Sequence, residues 1–458
     1  MSERALVPPQ VEGRAHSMKR FGVAFGRRFF LLFLIGLIWL VPAFSKPRFA
    51  YAMLAWDLLV FCAWLVDLAM LPKPQALTIR RIWVAPPALS VESIVQLAVS
   101  NESASLLHLK ILDHVPHQLR DTPAEVEITV GPHSQAHSRY NIQPAQRGEA
   151  RPGDVYVRYQ SAVGIAERWA QAGLSQMVTV YPNLEEAKRH SIFLIRSRQI
   201  ELEKRYTRLR GAGRAFESLR EYRDGDDFRD ICWTASARRG KLVTRLYDIE
   251  RSQTIWILLD CGRLMRARIA NLSKLDYAVN AALALTQVAL SSGDRVGVSA
   301  YSRGIRQRVA AARGSTHLMR IMEQLAEIHE DEWEADHLQA ASRLLTDQKR
   351  RSLVVWITDF AETAMTPEVI EAASLLMPRH LVLFVVIGQP DLEQLATQKP
   401  DTVEQMYSVA AAQEVVHRRE LLLGRLRERG AMAVETSSSR LSPTLVNSYL
   451  EIKQKNRL

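Results

Sequence analysis

Three kinds of hydrophobic patterning follow one another along the chain. Near the amino end two runs are continuously apolar: 29–44 has no charge, and 49–71 is broken only by Asp57 and Asp67. Each approaches the roughly 20 residues a helix needs to cross a bilayer, and only Ser45, Lys46, Pro47 and Arg48 separate them. They predict a transmembrane helical hairpin over 29–71, preceded by a cytoplasmic tail, 1–28. A signal peptide is the rival reading of the first run, but no small-residue cleavage site precedes the second. From residue 77 the pattern shortens to alternation, at 77–84, 93–99, 106–112, 126–130, 155–159 and 177–181, with turn signals such as Arg151-Pro152-Gly153-Asp154 between. These predict short strands and a β-sandwich-like domain over 77–200.

Beyond a segment at 201–250, strands alternate with helices. Apolar strands are expected at 254–260, 295–301, 353–358 and 380–387, and helices at 273–291, 316–328 and 366–376. Ser273 and Asp276 have the spacing of a capping box. A charged helix (413–429), a short strand (431–435) and a last helix (443–455) close the chain. The alternation predicts a doubly wound parallel sheet over 251–458, so the fold class is α/β behind an N-terminal membrane hairpin. Ligands of such sheets sit at the carboxyl ends of the strands, where Asp260 and Asp359 fall.

Composition changes this picture in three ways. The 458 residues carry a net charge of +11, spread along the chain and not blocked into a tail, which suits an anionic lipid surface. Acidic residues interleave the arginines of 204–251, so nucleic-acid binding is not expected. Arg4, Arg14, Lys19, Arg20, Arg27 and Arg28 precede the first apolar run and Lys73, Arg80 and Arg81 follow the second, against Lys46 and Arg48 between them. The positive-inside rule therefore puts both ends, and the soluble domains, on the cytoplasmic side of a multi-pass protein of the cell inner membrane. Cys62, Cys232 and Cys261 give neither a disulfide framework nor a zinc spacing. His108, His114, His117, His133 and His137 are loosely spaced and read as solvated, and His317 and His329 as surface residues.

Asp57 lies about nine residues into the second run, where a bare carboxylate costs roughly 2.5–3.5 kcal/mol. It faces either another helix or subunit, or water in a shallowly placed hairpin. Asp67, nearer the boundary, is expected to be solvated. Trp39, Tyr51, Trp56 and Trp64 are candidate interface anchors.

The segment before the parallel sheet carries Tyr222, Gly225-Asp226, Arg229, Cys232-Trp233 and Ser236-Ala237-Arg238. With Arg147-Gly148 and Val180-Tyr181-Pro182 upstream, this resembles the domain-of-unknown-function 58 family over nearly the whole chain. Cys232 stands where that family usually has a polar residue. Gly225-Asp226 suits a tight turn, Arg229 and Arg238 are placed to pair with Asp226, Asp227 or Glu250, and Trp233 is expected to wedge the motif onto a sheet. The set is either a ligand or partner site or, the favoured reading, an ion-paired clasp.

The order of the last domain is similar to the von Willebrand A fold, whose metal site uses an Asp-x-Ser-x-Ser loop, a distant Thr and a further Asp. Asp260, Thr316 and Asp359 match, whereas the loop reads Asp260-Cys261-Gly262-Arg263-Leu264 and lacks both serines. Magnesium wants near-octahedral oxygen ligation, so Mg2+ binding is expected to be weak, water-mediated or absent. The favoured alternative has Asp260 and Asp359 accepting backbone N–H bonds at strand and helix ends. The chain has no Walker motif, no G-x-G-x-x-G and no G-x-S-x-G. The resemblance implies association with MoxR-type AAA+ ATPases and other von Willebrand A proteins. The expectation is a non-enzymatic, membrane-anchored interaction or assembly factor, and the alternative is a divalent-metal-dependent enzyme using Asp226, Asp260 and Asp359.

Overall fold

In the computed structural model, residues 7–18, 22–44, 46–183, 215–223, 228–248, 253–360 and 367–455 are described. They divide into two units, Met1–Asn183 and Leu184–Leu458.

The first unit is sheet-rich. Its strands are β1 (Val11–Ser17), β2 (Val23–Phe25), β3 (Leu77–Trp83), β4 (Ser93–Asn101), β5 (Leu107–Asp113), β6 (Ala124–Val130), β7 (Ser134–Ile142), β8 (Gly148–Ala150), β9 (Val155–Ser161), β10 (Ala166–Ala172) and β11 (Val178–Val180). All but β8 and β11, which pair with each other, form one antiparallel sheet in the order β6-β5-β9-β10-β1-β3-β4-β7, with β2 added beside β10. Alternation places Leu77 and Ile79 of one half, and Leu109 and Val157 of the other, in a single core.

The supposed tail is not a tail. Val11–Arg14 pair with β3 and Ala15–Ser17 with β10, so β1 joins the two halves of the sheet. The strand is too polar for its pattern to reveal it, and long-range pairing alone fixes it. β7 and β10 escaped the alternation for the same reason, since β10 turns Ala166, Ala170 and Ala172 inward where larger residues usually stand.

The apolar runs form helices, though unequal ones. The first is α1 (Arg27–Gly36), a 3-10 turn at Leu37–Trp39, and α2 (Leu40–Ala43). The second is one helix, α3 (Arg48–Met70), which among the described residues alone is long and apolar enough to cross a membrane. Gly36 lets α1 and α3 approach: a Cβ there would stand 2.6 Å from the Trp56 ring and 2.8 Å from an Asp57 oxygen. Asp57 thus faces the neighbouring helix. Trp56 donates its indole N–H to Leu32 O (2.9 Å), and Trp64 donates to Ala24 O (3.2 Å) while packing on Phe25. Trp56 thus joins the two helices to each other, and Trp64 ties α3 to β2.

Asp67 corrects the sequence reading most sharply. It is 5% exposed and accepts from Ser161 Oγ (2.6 Å) and from the N–H groups of Ile165 (3.0 Å) and Ala166 (2.8 Å). A buried carboxylate needs such donors, and here they fasten α3 to the β9–β10 turn. Arg28 donates to Ala162 O and Val163 O, Arg168 to Leu68 O, and Tyr159 to Pro72 O.

The second unit is mixed α/β. A ribbon of β12 (Ala215–Glu221) and β13 (Val243–Asp248) flanks α4 (Trp233–Arg239). There follow β14 (Thr254–Asp260), β15 (Arg268–Ile269), β16 (Leu272–Ser273), α5 (Lys274–Ser291), β17 (Arg295–Tyr301), β18 (Ile305–Ala312), α6 (Ser315–Ala326), α7 (His337–Asp347), β19 (Leu353–Thr358), α8 (Pro367–Leu376), β20 (Leu381–Gly388), α9 (Pro390–Thr397), α10 (Val403–Glu428), β21 (Met432–Ser437) and α11 (Leu441–Gln454). The six-stranded sheet runs β18-β17-β14-β19-β20-β21, parallel except for the β18 edge. Trp256, Leu258, Val354 and Trp356 pack one face against α7, α8 and α10. Ile255, Ile257 and Leu259 point the other way and are also buried, with α5 against β14 and β17 and α11 against α5. Strands buried on both faces read as continuous apolar runs, which is how 254–260 and 353–358 stand in the sequence.

Candidate functional site

The strand order reverses between β14 and β19, and their carboxyl ends bring Asp260, Thr358 and Asp359 together. Such a switch point opens a crevice where α/β sheets bind ligands. Asp260 is 2% exposed. Its Oδ1 accepts from Gly262 N–H (2.7 Å) and its Oδ2 from the Thr358 hydroxyl (2.6 Å). Burial holds its carboxyl above the ordinary carboxylate range, opposed by His337 and the two hydrogen bonds and reinforced by Asp359. His337 Nδ1 lies 2.9 Å from the Tyr301 hydroxyl, to which Trp356 Nε1 donates.

Asp359 has different company. Its Oδ2 pairs with Lys274 Nζ and its Oδ1 with Arg419 Nη2 (3.1 Å), and Arg419 Nη1 reaches Glu435 (2.8 Å). Lys274, Asp359 and Arg419 are each 1% exposed. Lys274 opens α5 directly after the N-cap Ser273, in a capping box where Asp276 N–H donates to Ser273 Oγ (3.1 Å) and Ser273 N–H to Asp276 Oδ2 (2.9 Å). The spacing of those two residues therefore predicted a real cap. Burial lowers the Lys274 pKa, with Asp359 pulling it back up.

These residues do not fit a divalent cation. The Asp260 oxygens face an N–H and a hydroxyl, and Asp359 already faces two positive charges. Nor does the loop have room for a serine at this position, since a Cβ on Gly262 would meet Ala335 N at 2.9 Å. That close approach gives Gly262 a structural reason.

Thr316 does not join the pair. Ala312 pairs with Val296 at the start of β17, whereas Asp260 pairs with Tyr301 at its end. Thr316, exposed in the first turn of α6, therefore lies at the opposite end of the sheet. The neighbouring His317 confirms the placement and is itself not a surface residue: it is buried and its Nε2 donates to Val296 O (2.7 Å). The segment next to Asp260 is instead 331–336, tied by Asp331 N–H to Cys261 O (2.7 Å) and Arg263 N–H to Trp333 O (2.9 Å).

Sequence reasoning missed Lys274, Arg419 and Glu435. One signal was present for Arg419. It stands among Val409, Ala412, Leu422, Leu423 and Leu426, the buried positions of α10, so a cation sat on an apolar stripe.

In the signature segment, Gly225 and Asp226 and the Arg229 side chain lie outside the described residues, as do Asp227 and Glu250, so the clasp they were expected to form is not described. Ser236 Oγ donates to Cys232 O (3.0 Å) and accepts from Val243 N–H (2.9 Å), fastening α4 to β13. Gly240 ends α4 at φ +64°, a conformation glycine adopts without strain. Tyr222 stacks on Phe228 with ring centroids 5.9 Å apart. Arg238 is exposed. Trp233 is 66% exposed, so it does not wedge the motif onto a sheet: as the first residue of α4 it points to solvent.

Comparison with known proteins adds relatives without assigned roles. An uncharacterized protein of Mycobacterium tuberculosis (strain H37Rv) is 26% identical over 182 residues, 39% of this chain and 56% of the relative. The chain thus matches about half the length of that relative. The uncharacterized protein YeaD of Bacillus subtilis is 27% identical over 128 residues, 26% of this chain and 30% of that protein. Among solved structures, the conserved hypothetical protein BatB from Bacteroides thetaiotaomicron aligns at 14% identity and TM-score 0.31, covering 44% of this chain and 100% of that one. The segment that holds most of the ribbon, α4 and both carboxylates is the part with a family match: residues 218–411 fit the model described as "Protein of unknown function DUF58".

Proposed function

We propose that this protein is a membrane-anchored interaction or assembly factor. Its helical pair α1–α3 forms a hairpin in the cytoplasmic membrane, and its soluble parts stand on the cytoplasmic side. Its parallel-sheet unit is a von Willebrand A-like domain with a degenerate metal-ion-dependent adhesion site, engaging a MoxR-type AAA+ ATPase and other von Willebrand A proteins. The observation that carries the non-enzymatic part is the pairing of Asp359 with Lys274 and Arg419, which supplies the positive charge from the chain itself. Two of the three carboxylates that a metal enzyme would use, Asp260 and Asp359, are already engaged.

The anchor is supported by the large apolar side chains that α1 and α3 expose, among them Phe30, Leu34, Leu58 and Leu59. β1 and β2 run in succession along β10, and β1 is antiparallel to β3, so the strand that leads into α1 ends, and the strand after α3 begins, toward the same end of the sheet, which suits a hairpin. Crosslinking in native membranes, followed by identification of the captured proteins, tests the partner. Recovery of a MoxR-type ATPase is expected, and recovery of no ATPase overturns the reading.

A further inference from the structure

The outer face of the β6-β5-β9-β10 half carries a cavity of about 370 Å³. Register explains its lining. Thr129, His108, Gln160 and Glu167 form one row across four strands, and Glu127, Lys110 and Arg158 lie in the next. Arg27, the first residue of α1, completes the rim. His108 Nδ1 lies 3.0 Å from Thr129 Oγ1, Lys110 Nζ lies 2.8 Å from Glu125 and 3.6 Å from Glu127, and Arg158 lies 3.5 Å from Glu167. Lys110 and Arg158 are thus matched by Glu125, Glu127 and Glu167, and Arg27 is the lining cation that no carboxylate neutralises among the described residues.

The position of the cavity says what could fill it. Gln160 immediately precedes Ser161, whose hydroxyl is fastened to Asp67 near the end of α3. Tyr159, also in the lining, donates to Pro72 O just past that helix. The cavity therefore lies at the level where both apolar helices leave the sheet, and exposed Phe25 and Val163 stand at that same end. If those helices lie in lipid, this is the depth of the headgroups.

We propose that the cavity binds the headgroup of an anionic phospholipid, with the phosphodiester beside Arg27 and Arg158 and the headgroup hydroxyls beside His108 and Gln160. The inference rests on the membrane-anchor reading. Charge decides the class: Arg27 has no carboxylate beside it among the described residues, and a chain of net charge +11 favours a phosphatidylglycerol-type anion over a zwitterion.

The test uses the full chain in neutral detergent, titrated calorimetrically with dihexanoyl-phosphatidylglycerol, dihexanoyl-phosphatidylcholine and inorganic phosphate. Saturable binding of the first is expected, weakened about tenfold by Arg27→Gln or Arg158→Gln through loss of one charge-assisted bond. Arg350→Gln removes an equal charge from the surface of the other unit and should change nothing. Equal affinity for the two lipids, or for inorganic phosphate, or an Arg27→Gln variant that binds like wild type, overturns the site. Flotation with phosphatidylcholine vesicles separates the two readings. A chain that does not float breaks the anchor itself, whereas one that floats yet shows no lipid preference overturns only the site.

Discussion

Each unit buries a carboxylate against arginine, and the two solutions differ. In the first unit Arg81 meets Asp113 inside the sheet core. Its remaining donors reach Leu174 O (2.8 Å) and Gly153 O (2.8 Å), and Asp113 also accepts from Tyr140 OH (2.7 Å). One cation, one anion and neutral partners close the cluster. In the second unit Asp359 faces two cations, Arg419 Nε is buried without a partner among the described residues, and Glu435 is about a quarter exposed. That cluster stands at the ligand end of a parallel sheet. A closed cluster is a clasp; the open one sets two cations against two carboxylates, one of them partly exposed.

Removing the anion probes both clusters and gives the largest effects. Asp359→Ala should destabilise the full chain by about 3–5 kcal/mol, because breaking a buried pair leaves charge uncompensated. Asp113→Ala should fall in the same range but below it, since it breaks one ion pair and not two. Denaturant unfolding of the detergent-solubilised chain measures both, and equal losses would erase the distinction. Lys274→Met, which leaves Arg419 on Asp359, should cost about 1.5–3 kcal/mol, the loss of a charged hydrogen bond. In the first unit Asp67→Asn tests a carboxylate held by neutral donors only, with an expected loss of about 1–3 kcal/mol and earlier proteolysis at the β9–β10 turn. A variant as resistant as wild type would show that Asp67 does not fasten α3.

The pH dependence is smaller. With the Asp260 carboxyl held above its ordinary value, the folded chain binds more protons than the unfolded one between about pH 4 and that raised value. Stability contributed by this group therefore falls as pH rises through the window. Asp260→Asn, nearly isosteric and uncharged, should flatten that part of the profile, and an unchanged slope would assign it elsewhere.

Legibility in the sequence followed the same division. Strands buried on both faces and the Ser273–Asp276 cap were readable because their signal is local. The strand β1 was not, because its polar residues are fixed by partners more than sixty positions away, such as Ile79 opposite Gly13. Asp260 and Asp359 were found because each ends an apolar strand. Their meaning was hidden, because Lys274 and Arg419 reach Asp359 across 85 and 60 positions. Thr316 failed for a topological reason: an antiparallel edge strand carried it to the far end of the sheet. Asp67 looked solvated because nothing nearby in the chain announces the turn that binds it.

The central claim is that Lys274 and Arg419 supply the charge a metal ion would bring. Calorimetric titration of the full chain with magnesium and manganese tests it most directly. The account predicts no saturable heat for wild type and none for Asp260→Ala. Saturable binding by wild type that Asp260→Ala abolishes would contradict it.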